Sequence, residues 1–134
     1  MTVTAKDALG RLERAAADGR LDELCRRFDV GVLGAFGSAL DPDAEPGDLD
    51  LAVSFDGQPR MLELIDALVD LTGFDGVDVL DLDGASPVAR ARGVVGRGLF
   101  ESEPGRWAIT QMAALAEERD TAHLRALDLT ALQG

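Results

Sequence analysis

Residues 30–55 read VGVLGAFGSALDPDAEPGDLDLAVSF, and the order within them is strand, glycine turn, acidic loop, strand. Val30 to Phe36 is a nearly unbroken apolar run, the pattern of a central strand covered on both sides. Its interior glycines, Gly31 and Gly34, mark close approach of neighbouring backbone. Gly37-Ser38 closes the run, nine residues follow, and a second strand opens with Asp48-Leu49-Asp50 before continuing through Leu51, Ala52 and Val53. Residues two apart in a strand share a face. Asp48 and Asp50 therefore project together, while Leu49, Leu51 and Val53 point into the core.

Two carboxylates side by side on a rigid strand repel each other and raise each other's proton affinity unless a cation lies between them. All-oxygen ligation by one or two carboxylates, completed by substrate phosphates, is the usual way to hold Mg²⁺. Gly37 lets backbone approach a phosphate, and Ser38 offers a hydroxyl and an amide to the same anion. The intervening acids Asp41, Asp43 and Glu45 do not make a calcium loop. An EF-hand starting at Asp41 needs glycine where Pro46 stands and glutamate where Ala52 stands. They read as a solvated loop.

Upstream, Thr4 is placed to cap a helix with Leu9, Leu12 and Ala16 on one side, ending before Gly19. A second short helix carries Leu21, Leu24, Cys25 and Phe28. Downstream, Gly57-Gln58-Pro59 turns into a helix with Met61, Leu64, Ile65, Leu68 and Thr72 on one face, closed by Gly73. Val77 to Leu82 is a third strand carrying Asp78, Asp81 and Asp83. Alternation places Asp78 on one face and the other two on the opposite one, and does not say which face meets Asp48 and Asp50. Ser86-Pro87 starts a short helix, and Leu99-Phe100 marks an edge strand. Arg90, Arg92 and Arg97 form the local concentration of positive charge, placed to steer a triphosphate. The closing segment, from Pro104, reads as one long helix with Ile109, Met112, Ala113, Ala116, Leu124 and Leu127 as its apolar stripe, Trp107 as a core aromatic near its start and His123 on its surface.

The length, 134 residues, suits a single domain. The expected division is N-terminal helices over 1–28, a sheet core with the active site over 29–101 and a closing helix over 104–129. A net charge of −12 argues against a surface built for nucleic acid, whose binding rests on phosphate neutralisation, and leaves a basic protein partner as the easier match. One cysteine, Cys25, excludes an internal disulfide and a cysteine-rich zinc site. The charged, amphipathic first residues lack a signal-peptide pattern, and no run reaches the roughly 20 apolar residues of a membrane span. A cytoplasmic location is expected.

Gly37-Ser38, nine residues, then Asp48-x-Asp50 on a strand resembles the signature of the minimal nucleotidyltransferases (MNT), small members of the DNA polymerase β-like superfamily. The resemblance extends over most of the chain. It implies an α/β (α+β) fold, a mixed sheet of about three to five strands flanked by helices. It also implies Mg²⁺-dependent transfer of AMP from ATP to an acceptor hydroxyl, with two ions on Asp48, Asp50 and Asp78 and with Gly37 and Ser38 binding the nucleotide. Asp78, opening Val77-Asp78-Val79-Leu80, matches the family's third carboxylate, with Asp81 next. Single-domain proteins of this kind resemble antitoxins whose partner is a HEPN-type toxin, modified on a tyrosine hydroxyl. The sequence departs from the family where a basic residue often follows Gly-Ser: Ala39, Leu40 and Asp41 stand there instead. That departure motivates a second reading, a catalytically degenerate module that neutralises a partner by occlusion. Small-molecule modification, as in larger relatives, needs a further substrate-gripping domain that 134 residues do not supply.

Overall fold

A computed structural model of the chain describes residues 2–133, with side chains described to residue 128. Helices α1 (Ala5–Asp18) and α2 (Arg20–Arg27) precede strand β1 (Val30–Phe36), and a single 3₁₀ turn (Gly37–Leu40) leads to β2 (Leu49–Phe55). Helix α3 (Met61–Thr72), strand β3 (Val77–Asp81), helix α4 (Pro87–Val94), strand β4 (Arg97–Glu101) and helix α5 (Arg106–Gln133) complete the order. The four strands make one mixed sheet in the order β3-β2-β1-β4, antiparallel except for β2 and β3. Parallel neighbours need a crossover, and α3 provides it. None of the described helices is long and apolar enough to cross a membrane.

Local chemistry sets the boundaries. Thr4 Oγ1 accepts from the Asp7 amide and Asp7 accepts from the Thr4 amide, a reciprocal cap that fixes the start of α1. Ser86 caps α4 through the Ala89 amide with Pro87 in the first turn, where its missing N–H costs nothing.

The sheet separates two apolar layers. Leu12, Leu21, Leu33, Leu49, Leu51, Leu64 and Leu68, all fully buried, lock α1, α2 and α3 against one face. Each such side chain contributes about 1.5–3 kcal/mol relative to exposure. Cys25 lies in this layer, where burial pushes its thiol up to about 12, an inert core residue. Val32, Phe36, Ala52, Leu82, Val94 and Ala114 form the smaller layer on the other face, beneath α4 and α5.

Trp107 fixes the rotation of α5. Gly34 on β1 and Gly98 on β4 are register partners, and a Cβ on either would stand 2.2 or 2.8 Å from the indole. The two glycines together make a flat bed for the ring. With the helix rotated so that Trp107 and Ala114 face the sheet, residues near the opposite side of the 3.6-residue turn face outward. Ile109 and Met112 are accordingly 67% and 69% exposed, and Leu124 and Leu127 are exposed as well. The apolar stripe read from the sequence is thus the solvent face of α5. The seam that packs is made of an aromatic, a small residue and polar contacts: the Gln111 amide donates to the Val94 carbonyl and Arg90 pairs with Glu117.

Space around the glycines sorts their substitutions. A Cβ on Gly96 would stand 1.8 Å from the Ala35 carbonyl oxygen, a backbone atom that cannot move without opening the β1–β4 ladder. Gly96→Ala is expected to lower unfolding free energy by about 3 kcal/mol, the upper part of the overpacking range. Gly10, inside α1, meets only the tip of Arg14 at 3.6 Å. Gly10→Ala is expected to add about 1 kcal/mol through helix propensity and a less flexible unfolded chain. Urea titration followed by circular dichroism checks both; equal effects of the two substitutions would contradict this packing.

Candidate active site

The pairing of β2 decides what faces what. Asp50 lies opposite Phe36 on one side and opposite Asp78 on the other. Cross-strand partners share a face, so the Asp50 and Asp78 side chains stand side by side. That face carries the smaller apolar layer, and the carboxylates occupy its open end. Asp48 sits one residue before β2, exposed to solvent, close enough to act on Asp50. Asp81 lies opposite Val53, on the face of the larger layer, and accepts from the Asp83 amide in the turn after β3. Asp83 in turn accepts from the Phe55 amide. The register thereby supplies what alternation left open: Asp78 shares Asp50's face, and Asp81 and Asp83 tie the β3–α4 turn.

Gly37 brings the phosphate-side turn to the same place. Its φ of 81° lies in the left-handed region that favours glycine. A Cβ there would stand 2.6 Å from an Asp50 carboxylate oxygen. Asp50 therefore lies against the backbone of the 3₁₀ turn, and Ser38 is exposed next to it. The following residue is turned inward: Ala39 is 5% exposed and packs in the core, with Leu40 partly buried beside it. A basic side chain at residue 39 would point away from the carboxylates. Asp41, Asp43 and Glu45 are exposed, with Asp41 accepting from the Asp43 amide, as a solvated loop should be.

Electrostatically, Asp50 is the tense member. Partial burial raises its proton affinity first, the neighbouring Asp78 and Asp48 charges raise it further, and Arg92 opposes them. Among the described residues, no three His, Cys, Asp or Glu side chains are gathered tightly enough to enclose a metal ion. The donor set is nonetheless all-oxygen, anionic and open to solvent, and the Asp78 and Asp48 charges add to burial in raising Asp50's proton affinity. Such a set fits a hard divalent cation that keeps ligand positions for phosphate and water.

A cavity of about 190 Å³ adjoins the carboxylates, walled by Phe36, Val79, Leu80, Ala89 and Arg92 together with Asp50 and Asp78. Phe36 gave no functional signal in the sequence, because the last residue of an apolar strand reads only as core. A larger groove of about 590 Å³ runs between α2 and α3. It lies on the side of the sheet away from Asp50, and its charged lining, Arg20 and Arg27 against Glu23, Glu63, Asp66 and Asp70, carries both signs with acids in excess. The smaller cavity is the one that touches paired acids. His123 is exposed on α5, far in sequence from every element of the site.

No protein-family model matches the chain, and no curated protein matches its sequence. Solved structures do match its fold. A chain in a toxin–antitoxin structure with AMP-PNP superposes with a TM-score of 0.65 at 18% identity, covering 87% of this chain and 98% of the other. A structure of tri-AMPylated Shewanella oneidensis HEPN toxin in complex with MNT antitoxin matches with a TM-score of 0.63 at 17% identity, over 91% of this chain and 99% of the other. A MntA–HepT toxin–antitoxin structure matches at 0.60 and 19% identity, over 87% and 96%. Over nine-tenths of its length, this chain therefore has the α/β fold found in MNT–HEPN toxin–antitoxin structures.

Proposed function

We propose that this chain is a single nucleotidyltransferase-like domain that transfers AMP from ATP to a hydroxyl on a HEPN-type toxin and acts as its antitoxin, in the cytoplasm. The observation that carries the reading is the register that sets Asp50 beside Asp78, with Gly37 packed against Asp50. The shared fold supports it: similar structures contain AMP-PNP in one case and an AMPylated toxin in another. An acidic chain with a net charge of −12 complements a basic, RNA-directed partner.

In this reading the acceptor oxygen attacks the α-phosphorus, forming the new O–P bond as the bond to the β-phosphate oxygen breaks and pyrophosphate leaves. Asp48 and Asp50 would hold two Mg²⁺ ions, and Asp78 would complete the acceptor-side ion. When bound, such ions neutralise charge on the entering and leaving oxygens. Asp78, the more exposed of the cross-strand pair, faces the acceptor and takes the hydroxyl proton. Gly37 and Ser38 hold the triphosphate tail through backbone and hydroxyl donors. The sheet keeps these groups in place before substrate arrives, so little reorganisation remains for the reaction.

One observation favours a second reading, neutralisation by occlusion. The exposed face of α5, with Ile109, Met112 and Leu115, is a surface a partner could cover without any chemistry.

With purified HEPN-type toxin and ATP labelled in the α-phosphate, Asp50→Asn is expected to cut transfer by on the order of 10³-fold and to keep its far-ultraviolet circular dichroism. A variant that transfers no label yet still neutralises the toxin would favour occlusion. The same substitution is expected to raise the melting temperature of the metal-free protein at neutral pH. Asp50's folded-state proton affinity is raised, so its ionised form weakens folding as pH climbs through the folded value. Well below the ordinary 3.8 both states are protonated and the difference should vanish. Melts in a chelator at about pH 3 and pH 7 measure it; a stabilisation equal at both would contradict the electrostatic origin.

A further inference from the structure

We propose that Arg92 is the phosphate-binding cation of this site, supplying from α4 the positive charge that the turn after Ser38 lacks. The inference rests on the nucleotide reading above and adds to it the residue that grips the anion.

Three arginines cluster in the sequence around α4, and the structure gives them different employments. Arg90 is consumed by the fold: its guanidinium donates to the Leu82 carbonyl at 2.7 Å, to the Ala85 carbonyl at 2.9 Å and to Glu117 at 2.6 Å. Arg97 lies opposite Ala35, on the face of the larger apolar layer, and pairs with Glu13 of α1 at 2.9 Å. It cannot reach Asp50 through the sheet. The Arg92 side chain is exposed, and its guanidinium makes no hydrogen bond or ion pair with the other described residues. It shares the wall of the 190 Å³ cavity with Asp50 and Asp78, and its charge is felt at Asp50.

A triphosphate entering beside three carboxylates meets like charge, and a cation held at the rim offsets that repulsion while binding the anion. Guanidinium is suited to this, presenting planar paired donors to phosphate oxygens. Because the Arg92 guanidinium donates to none of the described residues, its donors need not be released from another partner first. Ala89, one helical turn earlier, lines the same cavity and leaves it open for the guanidinium to enter.

Calorimetric titration of ATP with Mg²⁺ into wild-type protein, Arg92→Ala, Arg92→Gln, Arg92→Lys and Arg97→Ala tests the assignment. Arg92→Ala and Arg92→Gln are expected to weaken binding about tenfold to a hundredfold, as loss of charge-assisted hydrogen bonds does. Arg92→Lys should recover part of the loss, and Arg97→Ala should bind as wild type. Arg92→Gln keeps the side-chain stem, so its result stands even if Arg92→Ala fails to fold. Wild-type affinity in the Arg92 variants, or an equal loss in Arg97→Ala, overturns the role of Arg92 and leaves the nucleotide reading in place. Absence of ATP binding by the wild type overturns both.

Discussion

Two like charges on neighbouring strands are an unfavourable arrangement, and this fold is built so that they cannot escape it. Asp50 and Asp78 are held in register by the β2–β3 ladder, and moving either apart would cost backbone hydrogen bonds. The parallel pairing behind this follows from the α3 crossover, which starts both strands at the same end of the sheet. An antiparallel return would place a different residue of β3 opposite Asp50. The larger apolar layer, with its fully buried leucines, outweighs the local repulsion. The strain stays confined to a few charged atoms at the rim.

Much of this was readable from the chain because it is local. The Thr4 cap, the glycine ends of α1 and α3 and the apolar run of β1 follow from periodicity and capping chemistry. What was not readable depends on partners distant in sequence. Alternation within β3 divides Asp78 from Asp81, but only the pairing of β3 with β2 says which face is which. Arg90, Arg92 and Arg97 are chemically identical in a sequence. Glu13 and Glu117, tens of residues away, separate them.

The closing helix shows the same limit from the other direction. Periodicity identified an apolar stripe on α5, and the stripe is real, but periodicity does not say which face of a helix is covered. The seating of Trp107 on Gly34 and Gly98 decides it, and the decision leaves Ile109 and Met112 in solvent. The signal that could have revealed this was the pair of glycines, which leave room on β1 and β4 for one large ring. In a strongly acidic chain, that exposed apolar face is the part of the surface least explained by solubility.

That seat has a further consequence. The chain contains one tryptophan and no tyrosine, so its near-ultraviolet emission arises almost wholly at the seam between α5 and the β1–β4 edge. Trp107 is partly buried there, its amide held by Glu101 and its ring against two glycines. Docking of α5 therefore has its own built-in fluorophore. A red shift of that emission reports this helix lifting from the sheet, separately from any change in the α1–α3 layer on the other side.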